Sequence, residues 1–347
     1  MLNVIVCAGF LFTGYSYVIP PVEHPTIALA NFAFPGFAVG VFLFMFLWLF
    51  FSKKYSLISL FTLIVGYVPM QKYAPVTSPD EEPTEKPLKI ISYNVHTFHD
   101  PLIEGADTGT IYKVIEYLHE VDADIICLQE AYLKPETREK LEPHFKYIDT
   151  YGKDDKGTAV TVLSKTPIKK CEPIAYDSDN NLSACFYVEY QGKTLRVINN
   201  HFESINIKSK DRQDFKAYMK NAFEDEESMQ GSKRIFSFIR DAAVKRQPQA
   251  EAVAKIIGDN AKNTIVVGDF NDPPLSYSHY LIDQKLTDCY AKRGLFTGFS
   301  YTNNAMYVRI DHAFCSDDFE VVKCYVDNTV DFSDHYPIIT YLTRVEK

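Results

Sequence analysis

The chain has 347 residues and a formal net charge of −9, and its charges are distributed unevenly. The first 70 residues hold one of the 45 acidic side chains and two of the 36 basic ones, so the remainder carries a net charge of −10. Proteins that grip long nucleic acids through phosphate contacts are usually basic, and this balance argues against such a protein. The seven cysteines form no CxxC pair, which argues against a zinc site.

Three apolar stretches come before residue 71, and they predict a membrane anchor over residues 1–70 with two to three transmembrane helices. Residues 27–51 are long enough to cross a hydrocarbon core of roughly 30 Å, whereas residues 55–70 are marginal. Residues 1–19 lack the basic start and the cleavage site of a signal peptide. A buried hairpin of core helices is the alternative, but seventy residues with three charges do not suit a water-soluble surface.

The turn between the second and third stretches contains Lys53 and Lys54, while the loop around Glu23 has no basic residue. The positive-inside rule therefore places the two lysines in the cytoplasm. With three spans the remaining domain lies on the outer (periplasmic or extracytoplasmic) face, and with two spans it faces the cytoplasm; we favour the outer face. Residues 71–87 predict a linker, since 75–87 are rich in Pro, Glu and Thr and are typical of an extended spacer.

Residues 88–347 alternate between strand-like and helical patterns, which predicts one α/β domain with much antiparallel pairing. The predicted strands are residues 89–95, 125–128, 158–163, 184–190, 195–199, 265–267, 309–314, 319–326 and 338–342. The predicted helices are residues 111–121, 235–243 and 249–257. Within the charged segment 208–246, the helix is interpreted as an amphipathic cover for a sheet. A lid and a basic lipid-docking surface are the alternatives.

Polar side chains follow the predicted strands at the points where the strands stop. A carboxylate at a strand end is held by the sheet yet faces the loop, as metal binding and acid/base chemistry require. Oxygen ligands with two histidines and no thiolates suit Mg²⁺ or Mn²⁺ better than zinc. The strand-end residues are Asn94, Glu130, His201, Asp269, Asn271, Asp311, Asp334 and His335.

The motifs ISYNV, CLQE, NNHF, GDFND, RIDH and SDHYP occur in this order and resemble those of the endonuclease/exonuclease/phosphatase superfamily, the deoxyribonuclease I-like proteins. Apurinic endonucleases, inositol-polyphosphate phosphatases and neutral sphingomyelinases also belong to it. The resemblance covers residues 88–342. With its apolar N-terminal region, the chain resembles a membrane-anchored, bacterial-type member of the superfamily. It implies a four-layer α/β/β/α sandwich of two packed mixed sheets, here preceded by transmembrane helices, with the site at one edge of the sheets.

The resemblance also implies a metal-binding half of the site. Glu130 corresponds to the principal ligand for Mg²⁺ or Mn²⁺, with Asn94 beside it and Asp334 as a further ligand. The alternatives are a solvent-exposed carboxylate at Glu130 and a strand-capping turn residue at Asn94. Gln129 is expected to support Glu130.

The remaining matched residues correspond to the catalytic half. Asp269 orients or deprotonates the attacking water, and Asn271 binds the phosphate, although Asp-x-Asn is also ordinary turn chemistry. His335 contacts the scissile phosphate as base or transition-state stabiliser, and Asp311 orients its ring.

Four further polar residues complete the expectations. His201 assists the phosphate or the leaving group, and its alternative is a satisfied strand-end histidine. Arg309 is expected to position Asp311 or to pack locally. Structural or surface roles are expected for His96, His99 and His312.

The sequence thus predicts a membrane-anchored, Mg²⁺- or Mn²⁺-dependent phosphoesterase that hydrolyses a phosphodiester or phosphomonoester in one in-line step. Its partners are a phosphate-ester substrate, with a lipid head group as one candidate, and the membrane; no obligate protein partner is evident. A metal-dependent nuclease acting on DNA or RNA is the alternative. A catalytically inactive binding module is disfavoured, because every catalytic position holds a competent residue type.

Overall fold

The computed structural model describes residues 1–77, 86–98, 109–152, 158–205, 226–259, 261–303 and 306–345. Most of the predicted linker, His99 and residues 208–225 of the charged segment lie outside these ranges.

The first 73 residues form a bundle of helices. A 3₁₀ segment, Pro25–Ala33, continues into the helix α2 (Phe34–Phe51), and together they form the apolar helical stretch Pro25–Phe51. Among the described helices, this stretch alone is long and apolar enough to cross a membrane. The predicted first span is shorter, at Leu2–Val18, and the predicted third span divides at Gly66. The helices are α1 (Leu2–Tyr15), α2 (Phe34–Phe51), α3 (Lys53–Val65) and α4 (Tyr67–Tyr73).

Several polar side chains are buried beside apolar ones inside this bundle, and many large apolar side chains face outward. Ser59 is fully buried, and its hydroxyl donates to Oδ1 of the buried Asn3 at 3.0 Å. The exposed apolar side chains include Leu43, Phe50 and Phe61. So much exposed apolar surface is unusual for a water-soluble helix bundle.

The strands of the described residues form two six-stranded sheets and one two-stranded hairpin. The first sheet has the order β13 (Phe319–Val326), β14 (Ile338–Arg344), β1 (Leu88–Asn94), β2 (Ile125–Gln129), β4 (Ala159–Ser164) and β3 (Tyr147–Gly152). The second has the order β5 (Ile168–Ile174), β6 (Leu182–Tyr190), β7 (Lys193–His201), β8 (Thr264–Asp269), β12 (Asp311–Cys315) and β9 (Thr287–Asp288). The hairpin joins β10 (Tyr301–Asn303) and β11 (Met306–Val308).

The two sheets pack face to face, with helices on their outer faces. Because alternate strand residues face opposite sides, Ile90 packs between the sheets while Ile91 packs under a helix. The first sheet is covered by α5 (Gly109–Val121) and α6 (Pro135–Leu141), and the second by α7 (Glu226–Ile257) and α8 (Tyr277–Asp283). A short helix, α9 (Cys289–Arg293), follows β9. The predicted four-layer α/β/β/α sandwich is confirmed.

One continuous helix, α7, replaces the two helices predicted over residues 235–243 and 249–257, and Pro248 lies inside it. Its C-terminal half, beyond the charged segment 208–246, covers the second sheet through Val253 and Ile257. In its N-terminal half, the amphipathic face that was expected to cover a sheet packs instead, through Ile235 and Ile239, with Leu29 of the 3₁₀ segment. The helix therefore connects the sandwich to the N-terminal bundle.

The bundle docks on the sandwich beside α8. The Asn31 amide donates to the Leu275 carbonyl at 3.1 Å, and the Tyr17 ring lies 5.5 Å from the Tyr280 ring. These contacts hold the start of α2 against the domain.

The segment after α4 also begins in contact with the domain. The Thr77 hydroxyl donates to the Gly294 carbonyl at 2.7 Å, and Phe296 donates its backbone N–H to the Pro75 carbonyl at 2.8 Å. The first residues of the predicted spacer are therefore docked on the domain, not extended away from it.

Candidate active site

Strand register brings the predicted catalytic residues to one edge of the sandwich. On the second sheet Asp269 pairs with His201 on the parallel strand β7 and with Asp311 on the antiparallel strand β12. On the first sheet Asn94 ends β1 and Glu130 follows β2. Parallel strands end, and their antiparallel neighbours start, at the same edge, so the side chains converge there.

Gly268 permits the close approach of β7 and β8 beside the site. Its φ is +138°, and a Cβ atom there would lie 2.0 Å from the Asn200 carbonyl oxygen. Only glycine accommodates both the backbone angle and the contact. The GDFND motif therefore needs its glycine for packing as well as its aspartate for chemistry.

Asp269 is the centre of the site and is almost fully buried. Its Oδ1 accepts from the Asn271 backbone N–H at 2.8 Å, and its Oδ2 accepts from the Asn94 amide at 3.0 Å. Burial raises the pKa of Asp269, and the charge of Asp311 adds to this, against the opposing charge of His335. A buried carboxylate with a raised pKa is suited to accept a proton from water.

His335 and Asp311 form a buried pair. Asp311 Oδ2 lies 2.9 Å from His335 Nδ1, while His335 Nε2 lies 3.7 Å from Asp269 Oδ2. Burial opposes a charged ring, but Asp311 and Asp269 outweigh it and raise the pKa of His335 well above its usual range. The neighbouring acids therefore favour the protonated ring, in which Nε2 directs its hydrogen toward Asp269.

Glu130 is the more exposed carboxylate of the site, with 27% of its side chain accessible. Its φ is +52°, a left-handed conformation that is strained for a non-glycine residue. Oε1 accepts from the Asn94 amide at 3.2 Å and lies 3.6 Å from His201 Nε2. Backbone strain of this kind is concentrated at functional sites.

The amide nitrogen of Asn94 donates to both Glu130 and Asp269. This orientation of the amide is fixed because its Oδ1 accepts from the His96 backbone N–H at 3.0 Å. As a metal ligand it would have to present that oxygen instead. Its role as a ligand therefore stays a prediction, as does that of Asp334, whose Oδ1 lies 3.0 Å from His96 Nδ1.

Asp269, Asp311 and His335 offer ligand atoms within 4.8 Å of one another, a spacing that could hold a metal ion. Glu130, the ligand predicted from the sequence, offers a carboxylate, which is a hard oxygen donor that suits a divalent cation such as Mg²⁺. Two candidate positions for a cation therefore lie at this edge of the sheets, one at Asp269, Asp311 and His335 and the other at Glu130.

His96 enters the site although the sequence suggested no role for it. Residues 96–98 all have positive φ, and this tight turn directs His96 toward Asp334. The hydrogen bond to Asp334 raises the pKa of His96, against the opposing effect of burial. The only signal in the sequence was its position two residues after Asn94.

Arg246 was also missed, because it was assigned to the basic flank of an amphipathic helix. It is 1% exposed, donates to the Asn271 carbonyl and lies 3.1 Å from Asp272 Oδ1. Burial lowers the pKa of Arg246, and Asp272 and Asp269 oppose this. The guanidinium thus holds the loop after β8 in place.

Gln129 does not support Glu130. Its amide donates to Asn199 Oδ1 at 2.7 Å and to the Ser92 hydroxyl at 3.1 Å, between the two sheets. The expectation was wrong because Gln129 ends β2 on the same face as Cys127, which points into the inter-sheet core.

Two other expectations concerned residues next to Asp311. Arg309 packs locally, as one interpretation held: it donates to the carbonyls of Lys72 and Thr297. His312 has the expected structural role, since it is buried and its Nε2 lies 2.8 Å from the Asp272 carbonyl oxygen.

A cavity of about 630 Å³ opens onto these residues. Its polar end is formed by Glu130, Asp269 and His335, and the rest of its wall is largely apolar. The apolar lining comes from the 3₁₀ segment and α2, from α7, and from the β10–β11 hairpin: Phe32, Pro35, Ile235, Phe236, Ile239, Met306, Tyr307 and Val308.

Solved structures with the same fold span most of this chain. An endonuclease/exonuclease/phosphatase from Beutenbergia cavernae is 15% identical, covers 75% of this chain and 72% of its own, and has a TM-score of 0.52. The human Nocturnin catalytic domain with bound sulfate is 12% identical, with 77% and 96% coverage and a TM-score of 0.52. TDP2 from D. rerio, complexed with a single-strand DNA product, is 17% identical, with 75% and 100% coverage and a TM-score of 0.51.

Two family models match separate parts of the chain, one over the apolar N-terminal region and one over the domain that follows it. Residues 1–73 match the model of a domain of unknown function. No curated protein matches the chain at a significant level. Residues 91–335, which include all the predicted site residues, match the model of the Endonuclease/Exonuclease/phosphatase family, and the chain belongs to that family.

Proposed function

We propose that this protein is a membrane-anchored, divalent-metal-dependent phosphoesterase that hydrolyses a phosphodiester or a phosphomonoester. One observation carries the proposal: Asp269, Glu130 and the Asp311–His335 pair converge at one end of a cavity large enough for a substrate. Members of the family are hydrolases of phosphate esters, and this chain has a suitable residue at each position that such chemistry needs.

Asp269 accepts the proton of the attacking water. The two N–H donors of Asn271 and the Asn94 amide fix the orientation of its carboxylate. Burial raises the pKa of Asp269 above that of an exposed aspartate, so its carboxylate is a stronger base toward the attacking water. The predicted contact of Asn271 with the phosphate would require its amide to turn away from Asp269.

His335 stabilises the negative charge that develops on the phosphate oxygens. Its ring is held by Asp311 through Nδ1, so Nε2 is the atom directed at the substrate. Because Asp311 and Asp269 favour the protonated ring, we prefer donation from Nε2 over a role as base. We assign a contact with a second phosphate oxygen to His201 Nε2, which lies 3.8 Å from Asp269 Oδ2.

Glu130 is the residue that would hold a divalent cation, with the oxygen of Asn94 after its amide rotates. A cation held there would neutralise the phosphate and would stabilise charge on the leaving oxygen. Among the described residues, the Asn94 amide is the single hydrogen-bond donor to the Glu130 carboxylate. The other acceptor positions of the carboxylate are therefore open to a cation.

The N-terminal bundle anchors the enzyme in a membrane. The apolar stretch Pro25–Phe51 and the outward-facing apolar side chains support this placement. Asn3 lies near Tyr55, next to Lys53 and Lys54, whereas Tyr17 contacts the sandwich. The two lysines and the catalytic domain thus lie at opposite ends of the bundle, which favours an outer-face location for the domain.

Cysteine labelling tests this location. Val76→Cys is introduced in a Cys171→Ser background, because Val76 is 72% exposed and the other native cysteines are buried. A membrane-impermeant maleimide added to intact cells is expected to label Val76→Cys. Protection in intact cells with labelling after lysis would place the domain in the cytoplasm.

A substrate panel tests the activity and separates it from the nuclease alternative. The purified full chain is incubated with Mg²⁺ or Mn²⁺ and plasmid DNA, RNA, phospholipids, sphingomyelin, inositol phosphates and generic phosphate esters. We expect hydrolysis of a small or lipid phosphate ester by the wild type and by the exposed control Asp259→Asn, but not by Asp269→Asn. Nicking of plasmid alone would support the nuclease instead.

A further inference from the structure

The cavity is too large and too apolar for a phosphate group alone. Its polar groups are concentrated at the end near Asp269, while Phe32, Ile239 and Val308 belong to its apolar wall. Pockets of this size commonly enclose most of a medium-sized organic ligand. A substrate that reaches Asp269 therefore extends along an apolar surface.

The N-terminal bundle itself forms part of this wall. Phe32 and Pro35 line the cavity, and the Asn31 amide fixes this segment to the domain at Leu275. Leu29, one turn earlier, packs with Ile235 of α7. The apolar wall is thus continuous with the stretch that we assign to the membrane.

Side chains from α7 and from the hairpin complete the wall, and they remain accessible. Phe236 is 41% exposed and Tyr307 is 63% exposed, although both line the cavity. Covering such apolar surface with hydrocarbon removes it from water and favours binding. These two rings are the natural contacts for an alkyl chain.

The charges of the described lining favour a ligand with a single phosphate over a polyanion. Among the described residues the lining contains no lysine, and its single arginine, Arg246, is already bonded to Asp272 and to the Asn271 carbonyl. The described part of the cavity therefore offers a row of phosphates no cation other than this arginine. A ligand with one phosphate and an uncharged remainder suits this distribution.

We propose that the cavity binds a phosphate ester that carries a hydrocarbon chain. The phosphate lies at Asp269 and His335, and the chain lies between Phe32, Phe236 and Tyr307. The position of the phosphate rests on the function proposed above. Because the wall is continuous with the anchor, the chain enters from the side of the membrane, and an amphiphile is preferred over a soluble phosphate ester.

Non-hydrolysable phosphonates separate binding from catalysis. Methylphosphonate and octylphosphonate are titrated into the Mn²⁺-loaded full chain in dodecyl maltoside, with affinities measured by calorimetry. We expect octylphosphonate to bind at least tenfold more tightly than methylphosphonate. Phe236→Ser and Tyr307→Ser should each reduce this ratio below threefold and leave methylphosphonate binding unchanged.

Ile256→Ser is the matched control, since Ile256 lies on the same helix, is also 41% exposed and does not line the cavity. It should keep the wild-type ratio. Equal affinities of the two phosphonates for the wild type, or an equal loss in Ile256→Ser, would overturn the inference. Chain-length preference together with failure to hydrolyse any phosphate ester would instead refute the proposed function and leave the binding site standing.

Discussion

Asp311 Oδ2 lies 2.9 Å from His335 Nδ1, and this contact joins the two sheets of the sandwich. Asp311 starts β12 of the second sheet, whereas His335 comes three residues before β14 of the first. The sandwich must be correctly packed before the pair can form. The geometry of the candidate site therefore depends on the packing of the inter-sheet core.

Replacing Asp311 by asparagine should change the pH dependence of activity. Asp311 raises the pKa of His335, so its loss lowers that pKa. Activity that needs the protonated ring falls as pH rises through this pKa, and the alkaline limb of kcat/KM should move to lower pH. We also expect kcat/KM to fall about 10- to 100-fold, because the ring loses its orienting partner.

Asp311→Glu serves as the comparison, because it retains the charge. Its alkaline limb should stay closer to that of the wild type even if its rate is low. An unchanged pH profile in Asp311→Asn would show that Asp311 does not control the ionisation of His335.

Replacing Glu130 by glycine should separate activity from stability. Glycine adopts a φ of +52° without a steric clash, whereas this conformation destabilises the folded state by about 1 kcal/mol when the residue is glutamate. We expect Glu130→Gly to lose metal-dependent hydrolysis and the thermal stabilisation that Mn²⁺ gives the wild type. Without metal it should unfold at the same temperature or higher. A large loss of metal-free stability would indicate a structural role for Glu130.

Gly268→Ala should destabilise the fold by about 2 kcal/mol or more, since its Cβ would overlap the Asn200 carbonyl. Gly192→Ala is the control: its φ of +72° is also left-handed, but no atom lies within 4 Å of the added Cβ. That variant should lose only about 1 kcal/mol, the cost of the backbone conformation. Chemical denaturation measures both, and equal losses would argue against the close approach.

Arg246→Lys should lower both activity and stability, because a lysine cannot replace a guanidinium that contacts several acceptors at once. We expect a loss of about 2 kcal/mol in unfolding free energy and about a tenfold fall in kcat. Arg240→Lys, on an exposed part of the same helix, should leave both unchanged. Wild-type kcat in Arg246→Lys would mean that the loop after β8 does not depend on this contact.

The sequence predicts strands well where they form the inter-sheet core. Apolar runs such as 125–128 and 265–267 lie in β2 and β8, and the polar residues after them meet at one edge. β5 was missed because Pro173 and three charged residues interrupt its pattern. It is an edge strand, where a missing N–H and charged side chains are tolerated.

Contacts between distant segments account for what the sequence did not predict. Two helices were predicted over 235–243 and 249–257, but the sheet and the 3₁₀ segment stabilise one helix that continues through Pro248. The roles of His96 and Arg246 depend on a left-handed turn and on the position of α7, neither of which has a periodic signal. The docking of the bundle beside the cavity likewise follows from tertiary packing alone.

Hydrolysis of simple chromogenic esters tests the central claim most directly. The full chain is incubated with bis(p-nitrophenyl) phosphate and with p-nitrophenyl phosphate, with Mn²⁺ or Mg²⁺ or with excess chelator. We expect p-nitrophenolate release from at least one ester, loss of that release with chelator, and a fall of about 10²- to 10⁴-fold in Asp269→Asn. Absence of release from both esters, release that survives chelation, or an undiminished rate in Asp269→Asn would contradict the account.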